Sequence, residues 1–89
     1  MIEMQKEDFV EILRRYVERM LEPIVSHPDF LRVTATSTDR GLIVLSVDAH
    51  SEDIGQVIGK EGRTIASITT LARIAALRRG KQVLINVER

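Results

Sequence analysis

The 89-residue chain has no cysteine. Disulfide staples and thiolate metal sites are therefore excluded. It has no tryptophan, and its aromatics are Phe9, Tyr16 and Phe30 alone. That leaves too few rings for the stacking platforms of RRM sheets and OB folds. No apolar run approaches the length of about 20 residues that a membrane span needs, so no membrane partner is expected. The opening segment, Met1-Ile2-Glu3-Met4-Gln5-Lys6-Glu7-Asp8, is too acidic and polar for a signal peptide, and a cytoplasmic protein is expected. Two histidines, His27 and His50, stand far apart in the chain, and no acid–His–nucleophile arrangement is visible. They read as turn residues, so neither a metal site nor a catalytic residue is expected. Net charge is also absent, with 13 basic and 13 acidic residues.

The charge is unevenly placed, however. Residues 1–25 hold six acids and four bases, residues 26–58 five acids and two bases, and residues 59–89 two acids and seven bases. A small domain with its positive charge in the last third presents one basic region to an anionic partner. Hydrophobic residues make up 44% and charged residues 29%, as in soluble globular domains. Residues 1–89 read as one domain, with a thin core that leans on a partner.

Periodicity sets the element order. Phe9, Leu13, Tyr16, Val17, Met20 and Ile24 recur at helical spacing and predict an amphipathic first helix. Asp8 and Glu11 fit a capping box at its start. Pro23 ends or kinks it near Glu22. The opposite, charged face reads as solvated, with Glu11–Arg15 as its attractive i,i+4 pair. Leu31, Val33 and Ala35 alternate with polar residues, as do Ile43, Leu45, Val47 and Ala49. These predict two strands joined by the polar turn Ser37-Thr38-Asp39-Arg40-Gly41. Ser51 is the expected cap of a short helix, with Glu52 and Asp53 in its first turn. That helix stops near Ile58. A longer one runs from about Arg63 to Arg79, with Ile65, Ile68, Ala72 and Ala75 inward, Leu71 and Ala76 beside them, and Gly80 as its C-terminal glycine. A last strand alternates Val83, Ile85 and Val87 with polar neighbours. The order α-β-β-α-α-β predicts an α+β fold: a three-stranded mixed sheet with helices packed on one face.

The segment Val57-Ile58-Gly59-Lys60-Glu61-Gly62-Arg63 carries the chemistry. Two glycines bracket two residues, and a helix follows at once. Glycine opens backbone angles closed to other residues and lets a second backbone approach. The helix start offers unpaired amides and partial positive charge where a phosphodiester can rest. Lys60 and Arg63 add full charges. The loop lacks the Gly-Lys-Ser/Thr ending of a P-loop, so nucleotide hydrolysis is not indicated.

This segment, in its setting of short helix, loop, long helix and strand, resembles the signature of KH domains, and the element order resembles the type II KH fold. The stretches Pro23-Ile24-Val25-Ser26-His27-Pro28-Asp29, Ser51-Glu52-Asp53-Ile54-Gly55 and Gly80-Lys81-Gln82-Val83 look like the small single-KH bacterial RNA-binding proteins of the KhpA type. The resemblance implies binding of single-stranded RNA over about four nucleotides, no enzymatic activity, no cofactor and no small-molecule substrate. It implies that Gly59 and Gly62 admit the RNA backbone, with Lys60 and Arg63 at the phosphates and Glu61 at the loop tip, where its charge opposes phosphate binding. Ile54, Val57, Ile58 and Ile65 would shape an apolar groove for bases. Arg73, Arg78, Arg79 and Lys81 either extend the RNA path or decorate a solvated helix end. Partners implied are a second copy of the chain or a larger KH-containing protein. Work on small regulatory RNAs, chaperoning of RNA and effects on cell shape and division are likewise implications of the resemblance. Two positions depart from the pattern. Glu61 stands where an uncharged or basic residue is common, and Ser51 where proline precedes the short helix. Single-stranded DNA would use the same groove, and sequence does not separate it from RNA.

Overall fold

The computed structural model describes residues 8–88. The reading of residues 1–7 as a polar, non-secretory start lies outside the described residues. Helix α1 spans Phe9–Leu21, strands β1 and β2 span Arg32–Ser37 and Leu42–Asp48, helices α2 and α3 span Ile54–Ile58 and Arg63–Leu77, and strand β3 spans Gln82–Val87. Single 3-10 turns at Pro28–Phe30, Ser51–Asp53 and Lys60–Gly62 join them. The α-β-β-α-α-β order is that of a type II KH fold.

Asp8 caps α1, its carboxylate accepting from the Val10 amide at 3.0 Å. The other half of the expected capping box is used differently. Glu11 points along the helix and takes a two-pronged grip on Arg14, at 2.9 and 2.8 Å. Arg14 also donates to Glu18 at 3.3 Å and to the Val33 carbonyl at 3.2 Å. The charged face is therefore not simply solvated. Its centre is bolted to β1, and its hub is Arg14 rather than the looser Glu11–Arg15 pair at 3.8 Å. The inward face is carried by Leu13, Val17 and Leu21, while Met20 is exposed and Ile24 lies beyond the helix end. The helix stops at Leu21 although Glu22 keeps helical angles, φ −51 and ψ −48, because Pro23 has no N–H with which to continue the ladder.

The sheet order is β1-β2-β3. β1 and β2 are antiparallel, with Ala35 opposite Leu45. β2 and β3 are parallel, with Leu45 opposite Ile85. Alternate residues Val33, Ile43, Leu45, Val47 and Val83 enter the core from the sheet. The helices cover that face, α1 touching β1 and α3 touching β3. Ile68, Ala72 and Ala76 line the inner side of α3. Two alanines one turn apart have no bulk to hold the helix off the sheet, so Ala76 is core. Leu71, expected beside that face, is 48% exposed.

The end of α3 follows its sequence signals. Gly80 takes φ +68, and the Lys81 amide reaches back to the Ala76 carbonyl at 2.9 Å. This closes the helix in a Schellman-type turn. Arg79 folds over the Phe9 ring at 4.6 Å, which ties the end of α3 to the start of α1.

Candidate nucleic-acid interface

The loop between α2 and α3 is shaped by three unusual backbone conformations within four residues. Gly59 has φ 84 and ψ 167, a region open essentially to glycine alone. Glu61 has φ 56 and ψ 26 and is the one positive-φ residue other than glycine among the described residues. Gly62 has φ 76 and ψ 14 and begins α3. No side chain caps that helix start. A Cβ on Gly62 would meet nothing within 4 Å, so the space beside it is open. Gly59 differs, because Thr64 packs directly against it.

The loop's charges are exposed, and two of them are already paired. Arg63 donates to Glu61 at 3.0 Å, with both side chains more than two-thirds exposed. A solvent-exposed pair of this kind is worth about 0–1 kcal/mol, so a phosphate can displace it. Lys60 is exposed beside it. Glu61 thus holds Arg63 at the loop while lowering the net charge there.

Of the four apolar residues expected to shape a groove, Ile54, Ile58 and Ile65 are half-buried. Val57 is not among the wall residues. Its side chain is 0% exposed and belongs to the core. In a short helix packed on both α3 and β3, the position between Ile54 and Ile58 turns inward. Ile54 also borders a shallow hollow with Asp48, Ala49, Ser51 and Glu88. At the far end of α3, Arg73 and Lys81 flank a larger apolar hollow of about 510 Å³, lined by Leu42, Leu77 and Leu84. Arg79 is engaged with Phe9 instead.

The start of α2 is anchored by a residue whose role the sequence did not reveal. Asp53 is 2% exposed. Its carboxylate accepts from the Ser26 amide at 3.0 Å, the His27 amide at 2.9 Å and the His27 ring Nδ1 at 3.2 Å. The Ser26 amide above all, with the His27 amide and ring, holds its pKa below the ordinary aspartate value against the opposing effect of burial. Asp53 is therefore a clamp between the α1–β1 connection and α2, not a solvated helix-start acid. The cap of the 3-10 turn is His50, whose Nδ1 accepts from the Glu52 amide at 3.0 Å. The extended backbone of His50, φ −57 and ψ 142, gives its ring that position in place of the expected Ser51. The two histidines are not isolated either: their rings stack with centroids 3.8 Å apart, and Phe30 meets His50 edge-on at 4.8 Å. The Ser-His-Pro-Asp turn was the only sequence signal for this cluster, and it names no partner.

No helix among the described residues is long and apolar enough to cross a membrane. The family model described as KhpA/KhpB, KH domain matches residues 14–87. A protein of Leifsonia xyli named RNA-binding protein KhpA is 44% identical over 68 residues, covering 76% of this chain and 86% of the relative. The Bacillus subtilis protein of the same name is 38% identical over 71 residues, covering 80% of this chain and 86% of the relative. That of Thermotoga maritima is 36% identical over 77 residues, covering 86% and 100%.

Proposed function

The chain belongs to the KhpA/KhpB KH-domain family, a family of RNA-binding proteins and not of enzymes, and on that footing we propose that it holds single-stranded RNA at the loop 59–62. The observation that carries the proposal is the start of α3. It is uncapped, flanked by two positive-φ glycines, and open beside Gly62. The sugar–phosphate strand rests against the Gly62 end, with Lys60 and Arg63 at its phosphates and Ile54, Ile58 and Ile65 under the bases. With aliphatic walls, discrimination comes from hydrogen bonds to base edges and is weak. Residues 1–89 act as one KH module. Its substrates, including small regulatory RNAs that it would chaperone, are chosen by single-strandedness more than by sequence.

The test is chemical-shift mapping with short RNA and DNA oligomers. Shifts clustered at residues 54–68, larger with RNA, are the expected result. Shifts confined to the exposed side of α3, or none, would overturn the loop assignment.

A second reading is favoured by one surface. Leu71, Ile74 and Leu77 on the outer side of α3 are 48%, 56% and 75% exposed. Large apolar side chains left outside at successive turns suit a protein partner, either a second copy of this chain or a larger KH-containing protein. Light scattering of the purified chain separates a monomer from a dimer.

A further inference from the structure

The chain has two histidines and no cysteine, so its best donors for a borderline transition metal are two imidazoles. The fold brings both together from different connections, and a carboxylate joins them. One donor atom from each of His27, His50 and Glu52 lies within 4.8 Å of the others. We propose that these three residues form a binding site for a divalent transition-metal ion of the zinc type.

The geometry is best formed between His27 and Glu52. His27 Nε2 lies 3.6 Å from Glu52 Oε1. Two ligands each about 2.0–2.1 Å from a tetrahedral zinc ion stand roughly 3.3–3.4 Å apart, so an approach of a few tenths of an ångström seats one ion between them. The other nitrogen of His27 is already held by the buried Asp53 carboxylate at 3.2 Å. A carboxylate on the far nitrogen fixes the proton there and turns the Nε2 lone pair outward, the arrangement that orients metal-bound histidines. Asp53 is itself fixed by two backbone amides, so this support is rigid.

His50 completes the site by moving. Its ring lies parallel to that of His27, at 12°, and two parallel rings cannot both aim a lone pair at one ion. Its Nδ1 also accepts from the Glu52 amide. Entry into the coordination sphere therefore unstacks the ring and frees that amide. Both rings are half-buried and Glu52 is 71% exposed, which leaves room for the turn. Water takes the fourth position. The ion would tie the α1–β1 connection to the start of α2, independently of what the glycine loop binds.

The experiment titrates the untagged chain with zinc chloride, followed by calorimetry and by amide and histidine-ring NMR, and repeats it with cobalt(II) to read the tetrahedral absorption band. One equivalent is expected to bind. Signals of residues 26–30 and 50–53 should move, with the Glu52 amide among the largest changes. His27→Gln and Glu52→Gln should each weaken binding by at least about tenfold with unchanged circular dichroism. Glu52 is exposed, so its variant keeps the test valid if His27→Gln fails to fold. Binding equally tight in Glu52→Gln, shifts centred on other carboxylates, or no saturable binding would overturn the proposal.

Discussion

Thr64 closes directly over Gly59: a Cβ placed on Gly59 would stand 2.6 Å from both the Cβ and the amide nitrogen of Thr64. The first glycine of the loop is therefore required by the protein's own packing, and the second by its backbone angle in open space. The two should respond differently to substitution. Gly59→Ala combines a collision with a glycine-only conformation and should lose about 2–3 kcal/mol of stability. Gly62→Ala carries only the left-handed penalty of about 1–2 kcal/mol and should lose RNA affinity out of proportion to it. Urea denaturation beside RNA titration of the two variants checks the ranking.

Replacing Lys60 and Glu61 together by aspartate should leave the fold intact and abolish RNA binding. Both side chains are exposed, and aspartate tolerates the left-handed angle at position 61. A double variant that binds as the parent does would remove the loop from the interface.

Glu61→Gln should release Arg63 from its 3.0 Å partner and tighten RNA binding. An exposed pair worth at most about 1 kcal/mol limits the gain to roughly fivefold. Glu61→Lys should go further and steepen the salt dependence of log K by about 0.7, the increment for one more phosphate contact on a single strand. Binding isotherms at several salt concentrations report both effects.

Acid should loosen the Asp53 clamp. Its folded pKa is depressed, so its contribution is complete above the unfolded aspartate value, about 3.9. It is lost as pH falls from there through the folded value. Thermal midpoints measured from pH 6 downward should fall below about pH 4, and Asp53→Asn should flatten that fall while starting from a lower midpoint.

Arg14→Ala should destabilise the chain by about 1–2 kcal/mol. It removes charge-assisted bonds to two glutamates and to the Val33 carbonyl. Arg14→Lys should recover little, because a single ammonium cannot reproduce the two-pronged grip on Glu11. Chemical denaturation distinguishes the two outcomes.

What could be read from the sequence followed from local rules. Period-two alternation at Ile43, Leu45 and Val47, the cap at Asp8, the stop before Pro23 and the turn at Gly80 each depend on neighbours a few residues away. The strand order and pairing followed from chain connectivity. The errors concern contacts between distant segments. Asp53 looks like a helix-start acid until the Ser26 and His27 amides reach it from the α1–β1 connection. His50 displaced Ser51 as cap, and Val57 left the groove for the core, for the same kind of reason. Within the candidate site, loop residues 59–63 were legible because glycine spacing is a local signal. The pairing of Glu61 with Arg63 was not, because residues two apart do not face each other on a helix and the positive φ at Glu61 and Gly62 brings these two together.

The parallel pairing of β3 with β2 sets an order of events. The hairpin of β1 and β2 closes a short turn, whereas Leu45 meets Ile85 across the whole α2–α3 segment. Loop-closure entropy makes that the late and slow contact. A polypeptide stopped ahead of Gln82 would carry every residue of the glycine loop, yet lack the edge strand against which α2 and α3 are held, so the shape of that loop depends on the final strand.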